Sequence, residues 1–336
     1  MINHILINDP TLRDGSHACG HQLNLEQIAI YTKAADAAGV PIVEVGHGNG
    51  LGASSLQVGL SKESDVNMLE TARKNLCNSK LGIHVIPGFA TIKKDLIRAI
   101  DIGVDVIRVA SHCTEADITQ RHIGYVRERG KEAYGVLMMS HMASALTLLE
   151  EAQKMENYGA EGIIIMDSAG AYLPCDVEEK VSTLVKGLKI PIGFHAHNNL
   201  GMAVANSITA IEAGAKILDG TARGFGAGAG NAQLEVLVAV LQKMGFITGI
   251  DLYKILDASD IAETKIMANI PVIKSDSIIS GLSGVFSGFS KHVSRISLEF
   301  NVDPRDVYKE LGKRKVVGGQ EDIIIEVVMG IIKNNK

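Results

Sequence analysis

Residues 8–17 read Asn-Asp-Pro-Thr-Leu-Arg-Asp-Gly-Ser-His, a polar stretch that carries three reactive side chains within five positions. The run His4-Ile5-Leu6-Ile7, apolar apart from its histidine, precedes it and a helix-like stretch follows it, so the sequence predicts a first β-strand that ends in a loop. In that loop Arg13 supplies a guanidinium for an anion, Asp14 a carboxylate for a hard cation, and His17 an imidazole that can act as a base. Alone, such a stretch is more often an ordinary polar turn.

Short apolar or β-branched segments alternate with amphipathic stretches beyond this point. The segments predicted as strands are 4–9, 41–46, 81–87, 105–110, 134–140, 162–167, 191–197 and 216–221. The stretches predicted as helices are 25–38, 63–75, 92–102, 119–129, 144–158, 177–187, 201–213 and 231–244. Eight strand–helix units in about 245 residues match a TIM barrel, and a doubly wound open sheet is the alternative. The count of eight, and the lack of Gly-x-Gly-x-x-Gly after the first strand, favour the barrel.

The alternation stops near residue 251. Helix-like stretches follow at 251–268, 289–300, 304–312 and 321–333, without convincing strands between them. Ser, Gly and Ile dominate 275–290, which predicts a close-packed turn region or a small-residue helix interface. We therefore predict a TIM-barrel catalytic domain at 1–260 and a smaller α-helical C-terminal domain at 261–336.

Composition narrows the class of protein. The 336 residues carry a formal net charge of -5, no Trp and only 4% aromatic side chains, which argues against nucleic-acid binding. No signal-peptide pattern opens the chain, and no apolar stretch reaches the roughly 20 residues of a membrane span. The four cysteines form no C-x-x-C pair, as expected for a reduced cytoplasmic protein without a structural zinc site.

The ends of the predicted strands suggest a metal site. His195 and His197 lie two positions apart on the seventh strand, so their side chains point to the same face. With Asp14 they form a two-histidine, one-carboxylate set that leaves coordination positions open for substrate and water. The alternative is a pair of hydrogen-bonded core histidines, but two buried imidazoles are costly without a shared partner. We therefore favour the metal site.

Other polar residues at strand ends are weaker candidates. They are Glu44, His47, His84, Arg108, Ser111, His112, His141, Asp167, Ser168 and Asp219. Glu44 and Asp167 could orient metal ligands or be plain strand-end carboxylates, and these two interpretations are equally supported. The glycine-rich run 224–230 follows the eighth strand, where barrels often bind an anion, although it could equally be a tight loop.

Several motifs in order resemble those of a known family, the metal-dependent DRE-TIM metallolyases of the HMG-CoA lyase-like superfamily. Residues 9–15 (Asp-Pro-Thr-Leu-Arg-Asp-Gly), 195–198 (His-Ala-His-Asn) and 224–231 (Gly-Phe-Gly-Ala-Gly-Ala-Gly-Asn) carry this resemblance. Residues 44–50 (Glu-Val-Gly-His-Gly-Asn-Gly) and 317–322 (Val-Gly-Gly-Gln-Glu-Asp) resemble one branch in particular, the 4-hydroxy-2-oxovalerate aldolases. The resemblance spans nearly the whole chain, including its C-terminal helical part.

The resemblance implies roles for individual residues. Asp14, His195 and His197 would bind a divalent metal, usually Mn²⁺, with Mg²⁺ or Co²⁺ as alternatives. Arg13 would stabilise the enolate oxygen of the 2-oxo acid, and His17 would be the catalytic base. Ser168, Phe286 and His84 would also bind the substrate.

The resemblance also implies a partner. In this branch the C-terminal domain packs against an acylating acetaldehyde dehydrogenase, which receives the aldehyde through a channel. Gly318 and Gly319 match the small residues at that end of the path. We also expect the chain to form an oligomer.

Two residues depart from the pattern of this branch. Phe286 stands where a tyrosine is usual, and the hydroxyl of that tyrosine helps to position the substrate's hydroxyl or the aldehyde. His84 stands where an apolar residue is common, beside the aldehyde pocket. Both departures leave the identity of the aldehyde and its stereochemistry open.

Four other functions fit parts of the pattern. A condensing enzyme that uses acetyl-CoA would share the metal set but would need a CoA site. A non-haem iron oxygenase fits the two-histidine, one-carboxylate set alone. A Schiff-base aldolase is rejected, because Lys80 and Lys216 fall at the starts of strands, at the wrong end of a barrel. A degenerate barrel acting only as a partner subunit is disfavoured by the intact set of polar residues.

Overall fold

Eight parallel strands close into a barrel in the order in which they occur in the chain. The computed structural model describes residues 3–334. The strands are β1 (Leu6–Leu12), β2 (Ile42–Val45), β3 (Lys80–Val85), β4 (Val106–His112), β5 (Glu132–Met138), β6 (Ile163–Asp167), β7 (Ile192–Ala196) and β8 (Ile217–Asp219). β1 pairs with both β2 and β8, which closes the ring. The predicted TIM barrel is confirmed.

Helices cover the outside of the barrel, and the last helices of the chain form a separate unit. They are α1 (Gly15–Ala18), α2 (Leu25–Ala37), α3 (Asp65–Asn75), α4 (Ile97–Ile102), α5 (Gln120–Glu128), α6 (Ala145–Asn157), α7 (Pro174–Gly187), α8 (Ala203–Glu212), α9 (Leu234–Lys243), α10 (Leu252–Ile261), α11 (Ser275–Leu282), α12 (Ser290–Glu299), α13 (Pro304–Lys313) and α14 (Ile323–Asn334). Within residues 3–334, no helix is both long and apolar enough to cross a membrane.

The first strand is longer than predicted at its C-terminal end. It continues to Leu12, three residues beyond the predicted end at 9, and contains buried polar residues. Asp9 accepts hydrogen bonds from Thr11 and from the Tyr31 hydroxyl at 2.6 Å. A search for apolar runs misses such a strand end, because its polar side chains satisfy each other inside the fold. Beyond it, His17 lies on the one-turn helix α1 rather than in an extended loop.

The C-terminal helices have a hydrophobic core of their own. This second core contains Val285, Phe289, Val293, Ile296, Val307, Tyr308, Leu311, Val316, Ile324, Val327 and Val328. α11 occupies the first part of the stretch 275–290, and its Gly281 packs against Leu200 and Asn199 of the barrel, as a small-residue interface does. Ala262 and Ile266 belong to the barrel core. The division of the chain at 260/261 stays a proposal.

Candidate active site

Three predicted metal ligands meet at the C-terminal mouth of the barrel. Asp14 follows β1, while His195 lies on β7 and His197 directly after it. The Nε2 atoms of the two histidines are 3.4 Å apart, and they lie 3.6 Å and 3.8 Å from Asp14 Oδ2. All three residues are at most 3% exposed. Among residues 3–334, this trio is the group of three His, Cys, Asp or Glu side chains that could hold a metal ion.

The trio has the chemistry of a divalent-metal site. One ion bonded to three atoms at about 2.1 Å fits between donors at these separations. His195 Nδ1 is hydrogen-bonded to Asp219 Oδ2 at 2.7 Å, which leaves its Nε2 facing Asp14 and His197. Asn231 donates its side-chain N–H to Asp14 Oδ2 and so orients the carboxylate. These residues therefore fit a bound divalent ion.

Burial and neighbouring charges set the protonation of the trio. Burial alone would raise the pKa of Asp14, but His197, His195 and Arg13 outweigh it and hold that pKa well below its usual value. Burial lowers the pKa of His197 to about 4, so its imidazole is neutral at neutral pH. Burial opposes protonation of His195 too, but hydrogen bonds and charge from Asp14 and Asp219 raise its pKa. An ion binding here would displace a proton from His195.

Arg13 offers an unused donor beside the trio. Its Nε donates to Glu44 Oε1 at 2.5 Å, and one terminal nitrogen donates to the Gly48 carbonyl at 3.3 Å. The other terminal nitrogen, Nη2, is buried and has no hydrogen-bond partner within the described part of the chain. Because buried donors are nearly always paired, a free one at the barrel mouth indicates a place for an anionic ligand.

A buried charge network supports both Arg13 and His195. Arg108 donates to Glu44 Oε2 at 2.8 Å and to Asp219 Oδ2 at 2.7 Å. Glu44 is therefore not a plain strand-end carboxylate, because it holds Arg13 directly. Asp219 in turn holds His195. Sequence reasoning placed Arg108 and Asp219 at strand ends but did not find these links, because partners across a barrel depend on its closure.

Asp167 stabilises the turn that follows β6. Its two carboxylate oxygens accept the backbone N–H groups of Ala171 and Tyr172, each at 3.0 Å. Burial raises the pKa of Asp167 to about 6, although these hydrogen bonds oppose that shift. Of the two interpretations that the sequence left open for this residue, the structure therefore favours the plain strand-end carboxylate, used here to form the turn after β6.

His17 lies in a group of aromatic rings above the barrel mouth. Its ring centroid is 5.1 Å from that of His21 and 6.2 Å from that of Phe286, both in edge-to-face geometry. Gly48 provides the space, since a Cβ there would come within 2.5 Å of the His17 ring. Burial lowers the pKa of His17 to about 3, so the ring is neutral at neutral pH.

The remaining candidates occupy different positions. The Ser168 hydroxyl oxygen accepts the Met139 N–H at 2.9 Å, which leaves its hydrogen for another acceptor. His84 on β3 is 2% exposed, and its Nδ1 has no hydrogen-bond partner among residues 3–334. Burial lowers the pKa of His84 well below its usual value, so this imidazole is neutral.

The C-terminal domain supplies Phe286 and the glycine pair. Phe286 is half-buried between His17 and its own domain, where Phe289 lies 5.7 Å away between ring centroids. A Cβ at Gly318 would come 3.2 Å from the Phe286 ring, so this glycine lets the ring lie close. The Gly319 carbonyl accepts a hydrogen bond from Gln57 of the barrel.

Two cavities open at the barrel mouth. One of about 920 Å³ lies between the mouth and the C-terminal helices, and His17, Asn199 and Lys291 line parts of it. A smaller one of about 180 Å³ runs between His17, Phe286 and Glu321. His17 borders both cavities, so a ligand in either one can reach it.

Comparison with known proteins gives a consistent picture across the chain. Residues 4–262 match the HMGL-like family, and residues 271–333 match the DmpG-like communication domain. Among solved structures, the N-terminal domain of a putative aldolase from Bacteroides vulgatus superposes with a TM-score of 0.72 at 24% identity, covering 88% of this chain and 97% of that one. The carboxyl transferase domain of Rhizobium etli pyruvate carboxylase gives a TM-score of 0.82 at 16% identity, over 98% of this chain and 60% of that one. Both likenesses concern the fold alone.

Curated relatives are much more similar in sequence. A protein of Spirochaeta aurantia is 67% identical over 97% of this chain and 96% of its own length. One from Pectobacterium atrosepticum is 62% identical over 100% and 98%, and one from Streptomyces tendae is 56% identical over 97% and 91%. All three are named 4-hydroxy-2-oxovalerate aldolase. The chain therefore belongs to the HMGL-like family, within the group of its members that carry this name.

Proposed function

We propose that the protein is a metal-dependent aldolase that cleaves 4-hydroxy-2-oxo acids of the 4-hydroxy-2-oxopentanoate type into pyruvate and an aldehyde of the acetaldehyde type. The observation that carries this proposal is the metal-ligand trio of Asp14, His195 and His197 beside the unpaired Nη2 of Arg13. A 2-oxo acid offers the matching groups, a carboxylate and a keto oxygen. The names of the relatives, at 56–67% identity over nearly the whole chain, favour the aldolase over the acetyl-CoA-dependent alternative.

The residues at the mouth account for each proton and charge of a retro-aldol cleavage. A divalent metal on the trio would polarise the keto group as a Lewis acid. His17 accepts the proton of the C4 hydroxyl, the C3–C4 bond breaks, and its electron pair moves into the pyruvate enolate while the C4 oxygen becomes the aldehyde carbonyl. Arg13 stabilises the enolate oxygen through its free donor. The proton that His17 has taken up then returns to C3, which gives pyruvate and leaves His17 neutral again.

The resident metal in this proposal is Mn²⁺, with Mg²⁺ or Co²⁺ as substitutes. Two imidazole nitrogens and one carboxylate oxygen suit several divalent ions. Substrate oxygens and water would fill the remaining positions, and an oxygen-rich set of that kind favours Mn²⁺ or Mg²⁺ over a closed tetrahedral zinc.

The partner in this proposal is an acylating acetaldehyde dehydrogenase in the cytoplasm. The match of residues 271–333 to a communication domain supports this, as does the closeness of Gly318 to Phe286 and of Phe286 to His17. Those contacts lead from the base, over the aromatic ring, to the glycine pair. An aldehyde leaving the site along this line would reach the surface of the C-terminal domain, where a partner subunit could take it up.

Pyruvate release from a panel of 4-hydroxy-2-oxo acids tests the proposal. The protein loaded with Mn²⁺ should release pyruvate from at least one short-chain member, and a chelator-stripped preparation should not. His195→Ala should lose both bound Mn²⁺ and activity, whereas His4→Ala, at an exposed position before β1, should keep both. Cleavage by a fully metal-free preparation would contradict the proposed mechanism.

A further inference from the structure

A short segment of the C-terminal domain, residues 284–287, reaches across to the barrel mouth. It follows α11 and ends at Ser287, the first residue of the 3₁₀ turn Ser287–Phe289. Val285 is buried in the second core, while the next side chain, Phe286, lies against His17. The backbone of this segment therefore decides where the Phe286 ring lies above the site.

Three hydrogen bonds from the barrel hold this segment. The Ser287 N–H donates to the Ser168 carbonyl at 2.9 Å, and Asn199 Nδ2 donates to Ser287 Oγ at 2.9 Å. His141 Nε2 donates to the Gly284 carbonyl, also at 2.9 Å. Ser287 and Asn199 are at most 1% exposed, so the bond between them is buried in the folded protein.

The amide of Asn199, in the loop after β7, joins the segment to two further barrel loops. Its Nδ2 also donates to the Ala169 carbonyl after β6, and its Oδ1 accepts the Ala229 N–H of the glycine-rich loop after β8. A Cβ at Gly228 would lie 2.6 Å from Asn199 Oδ1 and 3.1 Å from Ser287 Cβ. Both N–H groups of the amide and its oxygen are hydrogen-bonded, and the site is closely packed, so these contacts fix the orientation of the amide.

We infer that Asn199 and Ser287 are positioning residues that fix Phe286 against His17 and thereby shape the aldehyde half of the active site. The inference rests on the proposed aldolase function. The pyruvate half depends on other side chains, namely Arg13, Asp14, His195 and His197. None of the side-chain hydrogen bonds of Asn199 goes to those four residues. Loss of the hydrogen bond between Asn199 and Ser287 should therefore impair the aldehyde half more than the pyruvate half.

Two reactions of the same Mn²⁺-loaded protein separate the halves. Retro-aldol cleavage involves both halves, whereas exchange of the C3 protons of pyruvate in D₂O involves no aldehyde and needs only the pyruvate half and a base, either His17 or water. Ser287→Ala should lower kcat/KM for cleavage by about two- to tenfold, the equivalent of one lost hydrogen bond. Its rate of pyruvate exchange, followed by NMR, should stay within about twofold of the unmodified protein. His141→Leu removes a different bond to the same segment and should reproduce this pattern.

Ser297→Ala is the matched control, because Ser297 is a buried serine of the same domain whose hydroxyl has no partner among residues 3–334. It should change neither reaction. Equal losses of cleavage and exchange in Ser287→Ala and His141→Leu would show general damage and overturn the inference, as would unchanged cleavage in both. If the unmodified protein exchanges pyruvate protons but cleaves no acid of the panel, the proposed function itself fails, and with it the inference.

Discussion

The charge state of each residue at the barrel mouth follows from burial and from its nearest partner. Asp14 is ionised because three positive or polar neighbours outweigh its burial, while burial keeps His17 neutral with a pKa of about 3. A carboxylate and neutral imidazoles are the forms that bind metals and accept protons. Asp14 and His197 therefore already have the charge states that bind a metal, whereas His195, whose pKa is raised, gives up a proton when the metal binds.

We predict that His17→Ala loses cleavage but keeps the metal. Loss of a general base typically lowers the rate by about 10²–10⁴-fold. The trio is bonded to Asn231 and Asp219 rather than to His17, so Mn²⁺ affinity should be unchanged. Steady-state cleavage and Mn²⁺ binding followed by electron paramagnetic resonance check this. Near-normal cleavage by the variant would remove His17 from the mechanism.

We predict that Phe286→Tyr sharpens selection of one C4 enantiomer. A hydroxyl on this ring could donate to the C4 oxygen, and such a bond is worth about 0.5–1.5 kcal/mol, or about two- to tenfold between enantiomers. The half-buried position of Phe286 against His17 supports this over a purely structural role. Cleavage of the two resolved enantiomers by both proteins measures the ratio.

A purely structural role of Phe286 would give a different and measurable result. If the ring only packs in the helical domain, a tyrosine hydroxyl without a partner should lower the free energy of unfolding by about 1–3 kcal/mol and leave selectivity unchanged. Strict selectivity in the unmodified protein would show that another residue sets the stereochemistry. His84, with its unpaired buried nitrogen, is then the next residue to substitute.

At the level of elements, the sequence predicted all eight strands and their order. Strands buried on both faces are short apolar runs, and glycines close several of the helices between them, as Gly103 does with a φ of 109°. The prediction also placed Asp14, His195 and His197 together, because strand ends meet at one mouth and residues two apart share a face. Periodicity and spacing were sufficient for these features.

The network behind the site could not be predicted in the same way. Arg108 on β4 pairs with Glu44 on β2 and Asp219 on β8, and these strands are not neighbours in the sequence or in the sheet. Such contacts follow from closure of the barrel and from the length of each side chain. The bond between Asn199 and Ser287 likewise depends on how two separately packed units meet.

We predict that Arg108→Met strongly destabilises the fold. Removing one partner of a buried ion pair costs about 3–5 kcal/mol, because here Glu44 and Asp219 would be left buried without it. Arg314→Met is the control, since its pair with Glu326 is largely exposed and should contribute about 0–1 kcal/mol. Urea denaturation of both variants gives the comparison. Equal losses would show that burial of the network adds nothing to the cost.

At the level of the whole molecule, two hydrophobic cores share one active site. The barrel carries the trio of proposed metal ligands, and the core of the C-terminal helices holds the segment that carries Phe286. The site is therefore complete only when the two units are docked. Metal binding should depend on the first core alone, whereas cleavage should depend on both.

We predict that Leu311→Ala separates these two properties. Leu311 is fully buried in the second core, and such a truncation costs about 2–5 kcal/mol. On heating, the variant should lose cleavage at a lower temperature than the unmodified protein, while Mn²⁺ stays bound until the barrel unfolds. Leu298→Ala, at a position 85% exposed in the same domain, should change neither temperature.

Activity and bound Mn²⁺ are measured along the same heating series. Their order of loss shows whether the barrel and the C-terminal helices unfold together or separately. If they disappear together in Leu311→Ala, the barrel and the helices unfold as one cooperative unit, and a defect in the second core is transmitted to the metal site. If cleavage disappears first, the C-terminal helices can leave the mouth while the barrel stays folded. The second outcome is expected because the cores are separate, and the hydrogen bonds to residues 284–287 would then be what couples them.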